Sequence, residues 1–155
     1  LISEHLWQVY QQVYFQSCVF SNTLQAPSNH SINHKHGCII SLWNPRGAKC
    51  TKLTNRLMAK KVCSRLKALG YRYDLLWGGD RRMAYKELSA FVSCTLMEAK
   101  EIASHSEQLA FYYVSHRGML WLVRSDDIKF KKRVCKDIQR RMRITVFSRK
   151  NLAFK

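Results

Sequence analysis

Along the chain, segments whose apolar positions repeat at helical spacing alternate with short apolar runs bounded by turn residues. In "SEHLWQVYQQVYF", Leu6, Val9, Tyr10, Val13 and Tyr14 fall on one helical face, with Ser3 as N-cap and Glu4 in the first turn. Residues 21–37 are polar, carry one proline and show no repeat, which predicts a loop. Cys38 to Trp43 is a short apolar run between Gly37 and Pro45, as a buried strand requires. Thr51 then caps a helix that Gly70 ends. Met58, Val62, Leu66 and Leu69 share its apolar face; Leu53 and Leu57 fall off that face and call for cover from another segment. "YRYDLLW" and "ELSAFVSC" read as strands, with a Gly78-Gly79-Asp80 turn after the first. Thr95 and Glu98 have capping-box spacing and open a helix that turns Ala99, Ile102 and Ala103 inward. "LAFYYVS" and "MLWLVR" flank His116-Arg117-Gly118 as a hairpin.

The inner order is strand, helix, strand, strand, helix, strand. It predicts an α+β fold: an antiparallel sheet with helices on one face, in a ferredoxin-like split β-α-β arrangement. An extra helix precedes this unit. After it, Ser125-Asp126-Asp127 suits a helix start, and Phe130, Val134, Ile138 and Met142 recur every four residues. That pattern predicts a basic C-terminal helix, with "RITVFSRK" closing as an edge strand. The expected organisation is a single α+β domain over residues 1–125 and a basic extension over 126–155 docked on it.

A chain of 155 residues buries a large core without a disulfide scaffold. The six cysteines are scattered, so free thiols in a reducing cytoplasm are expected. No apolar run approaches the roughly 20 residues of a membrane helix, and no leader pattern is visible, so a soluble, cytoplasmic protein is expected.

Charge changes the picture most. Twenty-seven Lys and Arg against ten Asp and Glu leave +17. Between Glu4 and Asp74 there are ten Lys or Arg and no carboxylate; from Lys129 onward, eleven cations face Asp137 alone. Long acid-free stretches create a field that concentrates polyanions. The helix cations Lys52, Arg56, Lys60, Lys61, Arg65 and Lys67, and the tail cations Lys131, Lys132, Arg133, Lys136, Arg140, Arg141 and Arg143, are the candidate nucleic-acid contacts.

The corner "ISLWNPRG" carries the second candidate site. Helical spacing turns Asn55 inward at the first turn of the following helix, beside Met58, Ala59 and Val62. A buried amide without partners costs about 1–3 kcal/mol, and the nearest candidates are Asn44 and the loop between them. Asn55 therefore pins that loop, or Asn44, Asn55 and nearby donors line a small polar pocket beside a helix N-terminus, where Arg46 and Arg56 suit an anion. "LWQVYQQVYF", "NPRG", "LTNRL", "LGY", the glycine before Glu87-Leu88-Ser89, and "EQLAF" follow one another in an order that resembles the bacterial domain of unknown function 3293 family, over roughly Leu6 to Val123. The resemblance implies that Asn44, Pro45, Asn55, Gly79, Glu87 and Gln108 are the positions the family keeps. It brings no established activity. Thr54 stands where the family pattern has an acid, and Arg46-Gly47-Ala48-Lys49 replaces a run with a small polar residue, which makes this corner more cationic.

Other constellations carry less. His30, His34, His36 and Cys38 match no zinc template, so no metal is expected. Asp80 and Glu87 are the acids near the corner, but no nucleophile elbow, phosphate loop or dinucleotide fingerprint accompanies them, so neither catalysis nor a cofactor is expected. Tyr71, Tyr73, Trp77, Phe91, Tyr112, Tyr113 and Trp121 alternate along strands and suit a core better than a base-stacking platform. The expected function is a non-enzymatic module for RNA or single strands. The alternatives are a small enzyme or sensor for a phosphorylated or nucleotide-like ligand at the Asn44/Asn55 corner, and a binder of an acidic protein.

Overall fold

The computed structural model describes residues 1–18 and 36–143. Ser3 accepts the Leu6 N–H and starts α1 (Glu4–Tyr10). The helix is shorter than expected, because Val13, Tyr14 and Phe15 leave it. β-branched and aromatic residues in a row pair well as a strand, and Tyr14–Ser17 forms β1 with Val13 and Phe15 turned into the core. β2 (Gly37–Ser41) is the expected buried strand. α2 (Lys52–Ala68) is capped by Thr51 and ends in a Schellman turn: Tyr71 N–H donates to the Leu66 carbonyl and Gly70 N–H to Lys67, with Gly70 at φ +80. Its buried stripe is Asn55, Ala59, Val62 and Leu66, so Leu69 turns outward and Met58 is only half-buried. Leu53 and Leu57, expected to be covered, are 64% and 58% exposed.

β3 (Tyr73–Gly79) runs through Gly78 and Gly79, expected in a turn, which pair with Glu87 and Lys86. β4 (Lys86–Ser93), α3 (Leu96–His105), β5 (Ala110–Val114) and β6 (Leu120–Arg124) lie where the sequence places them, and the Thr95/Glu98 capping box is formed. The tail differs. Residues 131–135 form β7 (Lys131–Cys135), paired antiparallel with β6; a 3-10 helix spans Ile138–Arg141; Met142–Arg143 forms β8. No α-helix occurs after α3 among the described residues. The apolar recurrence of four that suggested one is also a multiple of the strand period of two, so it does not separate helix from strand. Lys and Arg on an edge strand also discourage pairing with other chains. The expected strand over residues 144–155 and most of the loop 21–37 lie outside the described residues.

Among the described residues eight strands make one sheet in the order β7-β6-β5-β2-β4-β3-β1-β8. The four strands of the inner unit pair antiparallel as β5-β2-β4-β3. The sheet is not antiparallel throughout, since β1 and β8 pair parallel. β7 and β8 are its opposite edges, yet seven residue steps join Cys135 to Met142. Seven steps reach at most about 25 Å. A flat sheet of eight strands is roughly 33 Å wide. The sheet must therefore curl until its edges approach.

Curling separates two cores. On the outer face Cys38, Ile40, Ala90, Val92, Phe111 and Val123 meet Val62 and Leu66 of α2 and Ala99, Ile102 and Ala103 of α3. On the inner face Ile39, Phe91, Val114 and Leu120 meet Phe15, Leu76 and Ile138. With both faces covered, Phe91 is 1% exposed, Tyr71, Tyr73, Tyr113 and Trp121 pack on the outer core, and Tyr112 packs on the inner one. They do not form an open stacking platform. No helix among the described residues is long and apolar enough to cross a membrane.

Candidate functional site

The inside of the curl holds a cavity of about 800 Å³, and its polar end is built from the corner after β2. Asn44 stands at φ 51, ψ 59, a left-handed conformation that Asn tolerates through its short polar side chain. Four hydrogen bonds hold it there. Its N–H donates to Asn55 Oδ1 at 2.9 Å, and its Oδ1 accepts from Asn55 Nδ2 at 3.2 Å and from the Cys50 N–H at 2.9 Å. Its Nδ2 donates to Glu87 Oε1 at 2.6 Å. Asn55 is thus satisfied by the strand end, as a pin on the loop; it does not line the cavity itself.

Glu87 is the hub of the polar end. Besides Asn44, its carboxylate accepts from Ser41 Oγ at 2.8 Å and from the Tyr85 hydroxyl at 2.5 Å. Strand alternation puts Ile39 and Ser41 of β2, and Glu87 and Ser89 of β4, on the same inner face. Gln108 closes the end of β2: its Nε2 donates to the carbonyls of Ser41 and Ser106, and its Oε1 accepts the Ser41 N–H. Gly79 is required by close packing, since a Cβ there would stand 2.1 Å from the Tyr85 carbonyl oxygen. Asp80 accepts the N–H groups of Ala84 and Tyr85, so it is committed to the β3–β4 turn.

Aromatic hydroxyls and apolar side chains surround this carboxylate. Leu6, Val9 and Tyr10 of α1, Phe15 of β1, and Leu109 line the apolar part. The helix α1 therefore lies on the cavity side, opposite α2 and α3. The Tyr112 hydroxyl donates to the Tyr10 carbonyl at 2.6 Å. Burial and then the negative charge of Glu87 push the Tyr10 phenol above its ordinary range. Partial burial and the bond to Glu87 push Tyr85 up to about 12. Around neutral pH these phenols are hydrogen-bond donors.

Arginines supply positive charge at the wall and rim. Arg46 is exposed and ion-paired to Glu107 at 3.2 Å, and Arg81 is exposed beside the Gly78-Gly79 strand end. Arg141 reaches the wall from the 3-10 helix. One of its nitrogens donates to the carbonyls of Gln11 and Val13, both at 3.0 Å, and its guanidinium lies over the Tyr14 ring at 5.1 Å. Arg143 covers Tyr14 at 4.6 Å. These two cations, expected on a nucleic-acid surface, are half-buried and hold the closing edge of the sheet.

The remaining expected contacts point into solvent. Lys52, Arg56, Lys60, Lys61, Arg65 and Lys67 are exposed on α2; Lys131, Lys132, Arg133, Lys136 and Arg140 are exposed on β7 and the following turn. Lys131 also lies over Trp121 at 5.2 Å. The two sets sit on separate elements, and no basic helix carries the second. His36 packs on His116, while His30 and His34 lie outside the described residues. No group of three metal-ligating side chains occurs among the described residues.

Of the expected pocket residues, Asn44, Arg46, Gly79, Glu87 and Gln108 all line the cavity, and Asn55 supports Asn44. Ser41, Ser89, Arg81, Tyr10, Tyr85 and Tyr112 were not foreseen. Alternation with Ile39 and Glu87 signals the two serines. Nothing local signals Tyr10, which reaches the site from 77 positions before Glu87 (87 − 10). No curated protein and no solved structure matches the chain. Residues 40–111 match the family model described as "Protein of unknown function (DUF3293)". The segment that carries Asn44, Asn55, Gly79, Glu87 and Gln108 therefore belongs to that family.

Proposed function

We propose that the protein binds a small phosphorylated or nucleotide-like molecule in the cavity of the curled sheet. The observation that carries this reading is convergence. Five positions spread from Asn44 to Gln108 meet at one cavity, and Glu87 at its polar end is pre-oriented by three donors. Concave, largely apolar sites with a few converging polar groups are the usual form of small-molecule sites. Glu87 takes an N–H donor of the ligand, the walls of Leu6, Val9, Phe15 and Leu109 cover an apolar or aromatic body, and Arg81 with Arg46 at the rim meets an anionic group. The reading of the inner strands as a split β-α-β unit goes with this proposal and is supported by their order β5-β2-β4-β3; the cytoplasm is its proposed location. A thermal-shift screen of nucleotides, sugar phosphates and inorganic phosphate tests it. A shift for one chemical class, abolished in Glu87→Gln, supports the reading; an equal response to every polyanion overturns it.

A second reading, a sequence-tolerant nucleic-acid surface, rests on α2. Six exposed Lys and Arg occupy that helix, which carries no acidic residue. An acidic protein would meet the same charges. Binding of labelled single-stranded RNA across a salt series distinguishes this surface from the cavity, because counterion release makes phosphate binding fall steeply with salt.

A further inference from the structure

Behind the cavity, on the outer face of β2, a second feature stands apart from the ligand reading. Cys38 of β2 and Cys94, just after β4, bring their sulfurs to 3.6 Å. Both are buried, and all six cysteines of the chain are free thiols. Cys38 pairs with Val92 across β2 and β4, and Cys94, two residues further on and 56 residues from Cys38, meets it diagonally on the same outer face, so the fold itself holds the thiols together. We propose that this pair is a modification site: a dithiol that oxidises to an intramolecular disulfide with a hydroperoxide as oxidant.

The geometry favours closure. A disulfide needs its sulfurs roughly 2.05 Å apart, so closure brings them about 1.5 Å nearer, a movement shared between side-chain rotation and the backbone of Cys94, which lies past the last residue of β4. Cys94 immediately precedes the N-cap of α3 and is the more exposed of the two, 5% against 0% for Cys38. Its hydrogen bond with Cys38 lowers the Cys94 thiol from its ordinary range, while the same bond and burial push Cys38 well up. A hydroperoxide reaches the more exposed thiol first, so Cys94 is the attacking sulfur and Cys38, fully buried behind it, the resolving one. The Cys94 thiolate attacks the peroxide, the O–O bond breaks, and Cys94 becomes a sulfenic acid as the alcohol or water leaves. The Cys38 sulfur then displaces hydroxide, which leaves as water with the Cys38 proton. The balance is two thiols and one hydroperoxide giving one disulfide, one alcohol (or water) and one water. No third ligating side chain joins the pair among the described residues, which distinguishes it from a metal site.

The test treats the native protein with hydrogen peroxide, blocks residual thiols with N-ethylmaleimide in denaturant, and maps peptides by mass spectrometry. A linked peptide pair containing Cys38 and Cys94, released on reduction with dithiothreitol, is the expected result. A variant with Cys18→Ser, Cys50→Ser, Cys63→Ser and Cys135→Ser keeps only this pair; its oxidised form is expected to melt at a higher temperature than its reduced form. Both thiols recovered blocked by maleimide, overoxidised sulfurs without a link, or a link that forms only in urea would each overturn the proposal. The readout is covalent and independent of any ligand, so its failure leaves the cavity reading untouched.

Discussion

Asn44 and Asn55 exchange two hydrogen bonds, the Asn44 N–H to Asn55 Oδ1 at 2.9 Å and Asn55 Nδ2 to Asn44 Oδ1 at 3.2 Å, and this pair fixes the left-handed turn that presents Asn44 to Glu87. Removing one partner leaves a half-buried donor without an acceptor. Asn55→Ala is expected to cost about 1–3 kcal/mol in urea denaturation. Asn55→Asp keeps the acceptor for the backbone N–H but sets a buried carboxylate oxygen against Asn44 Oδ1, so it is expected to cost at least as much. An Asn55→Asp protein as stable as the parent would show that the donated bond does not matter.

Glu87 is expected to govern the cavity through its negative charge. In Glu87→Gln one oxygen becomes a donor that faces the donors of Asn44, Tyr85 or Ser41. Hydrogen bonds to charged groups contribute about 1.5–3 kcal/mol, so a lower midpoint in urea is expected together with loss of any ligand-induced thermal shift. Tyr85→Phe removes one donor and is expected to lower the midpoint less. A Glu87→Gln protein that melts and binds like the parent would remove Glu87 from its role as anchor.

Arg141 is expected to act as a structural clamp. It bridges the carbonyls of Gln11 and Val13 and stacks on Tyr14, tying the 3-10 helix to the start of β1. A lysine has no planar fork with which to stack and bond together. Arg141→Lys and Arg141→Ala are therefore both expected to destabilise, the alanine by about 1–3 kcal/mol. Full stability of Arg141→Lys would refute the clamp.

If nucleic acid binds at α2, Lys60→Gln and Lys61→Gln are each expected to reduce the log–log salt slope by about 0.7–0.9, the value for one phosphate that is no longer neutralised. Arg143→Gln, at the stacked edge, is expected to leave the slope unchanged. Fluorescence anisotropy with a labelled oligonucleotide at several salt concentrations separates these outcomes. Equal slopes in all three variants would point away from α2.

The phenols set an alkaline limit. An unfolded tyrosine ionises near pH 10 (roughly). Tyr85 in the fold is pushed up to about 12. The fold therefore favours the neutral phenol, and this contribution is complete below the unfolded value and is lost as pH rises through the folded one. Tyr10 and Tyr113 are shifted in the same direction. In Tyr85→Phe the fall of stability over this alkaline window is expected to be shallower, as read by urea midpoints across the pH series. An unchanged or steeper fall would contradict the shift.

Local patterns determined much of this protein. Thr51, Thr95 and Gly70 mark helix ends through hydrogen bonds within a few residues, and the β2 run, the β5–β6 hairpin and the inward Ala99, Ile102 and Ala103 are set by alternation or helical repeat. The order of the inner elements and the inward Asn55 were legible for the same reason. Other features were decided between segments far apart. Val13 and Tyr14 continue a helical pattern, yet the chain leaves the helix and Tyr14–Ser17 become strand because β3 and β8 lie on either side to pair with them. The spacing of Phe130, Val134 and Ile138 fits helix and strand alike, and the open edge of β6 chose strand for the segment around Val134. Charge was countable in the sequence, but only the curl of the sheet sent Arg141 inward onto Tyr14 while leaving Lys60 in solvent. Capping and periodicity are properties of neighbouring residues; strand pairing and the cavity depend on which distant backbones meet, and that was settled only when the whole sheet closed on itself.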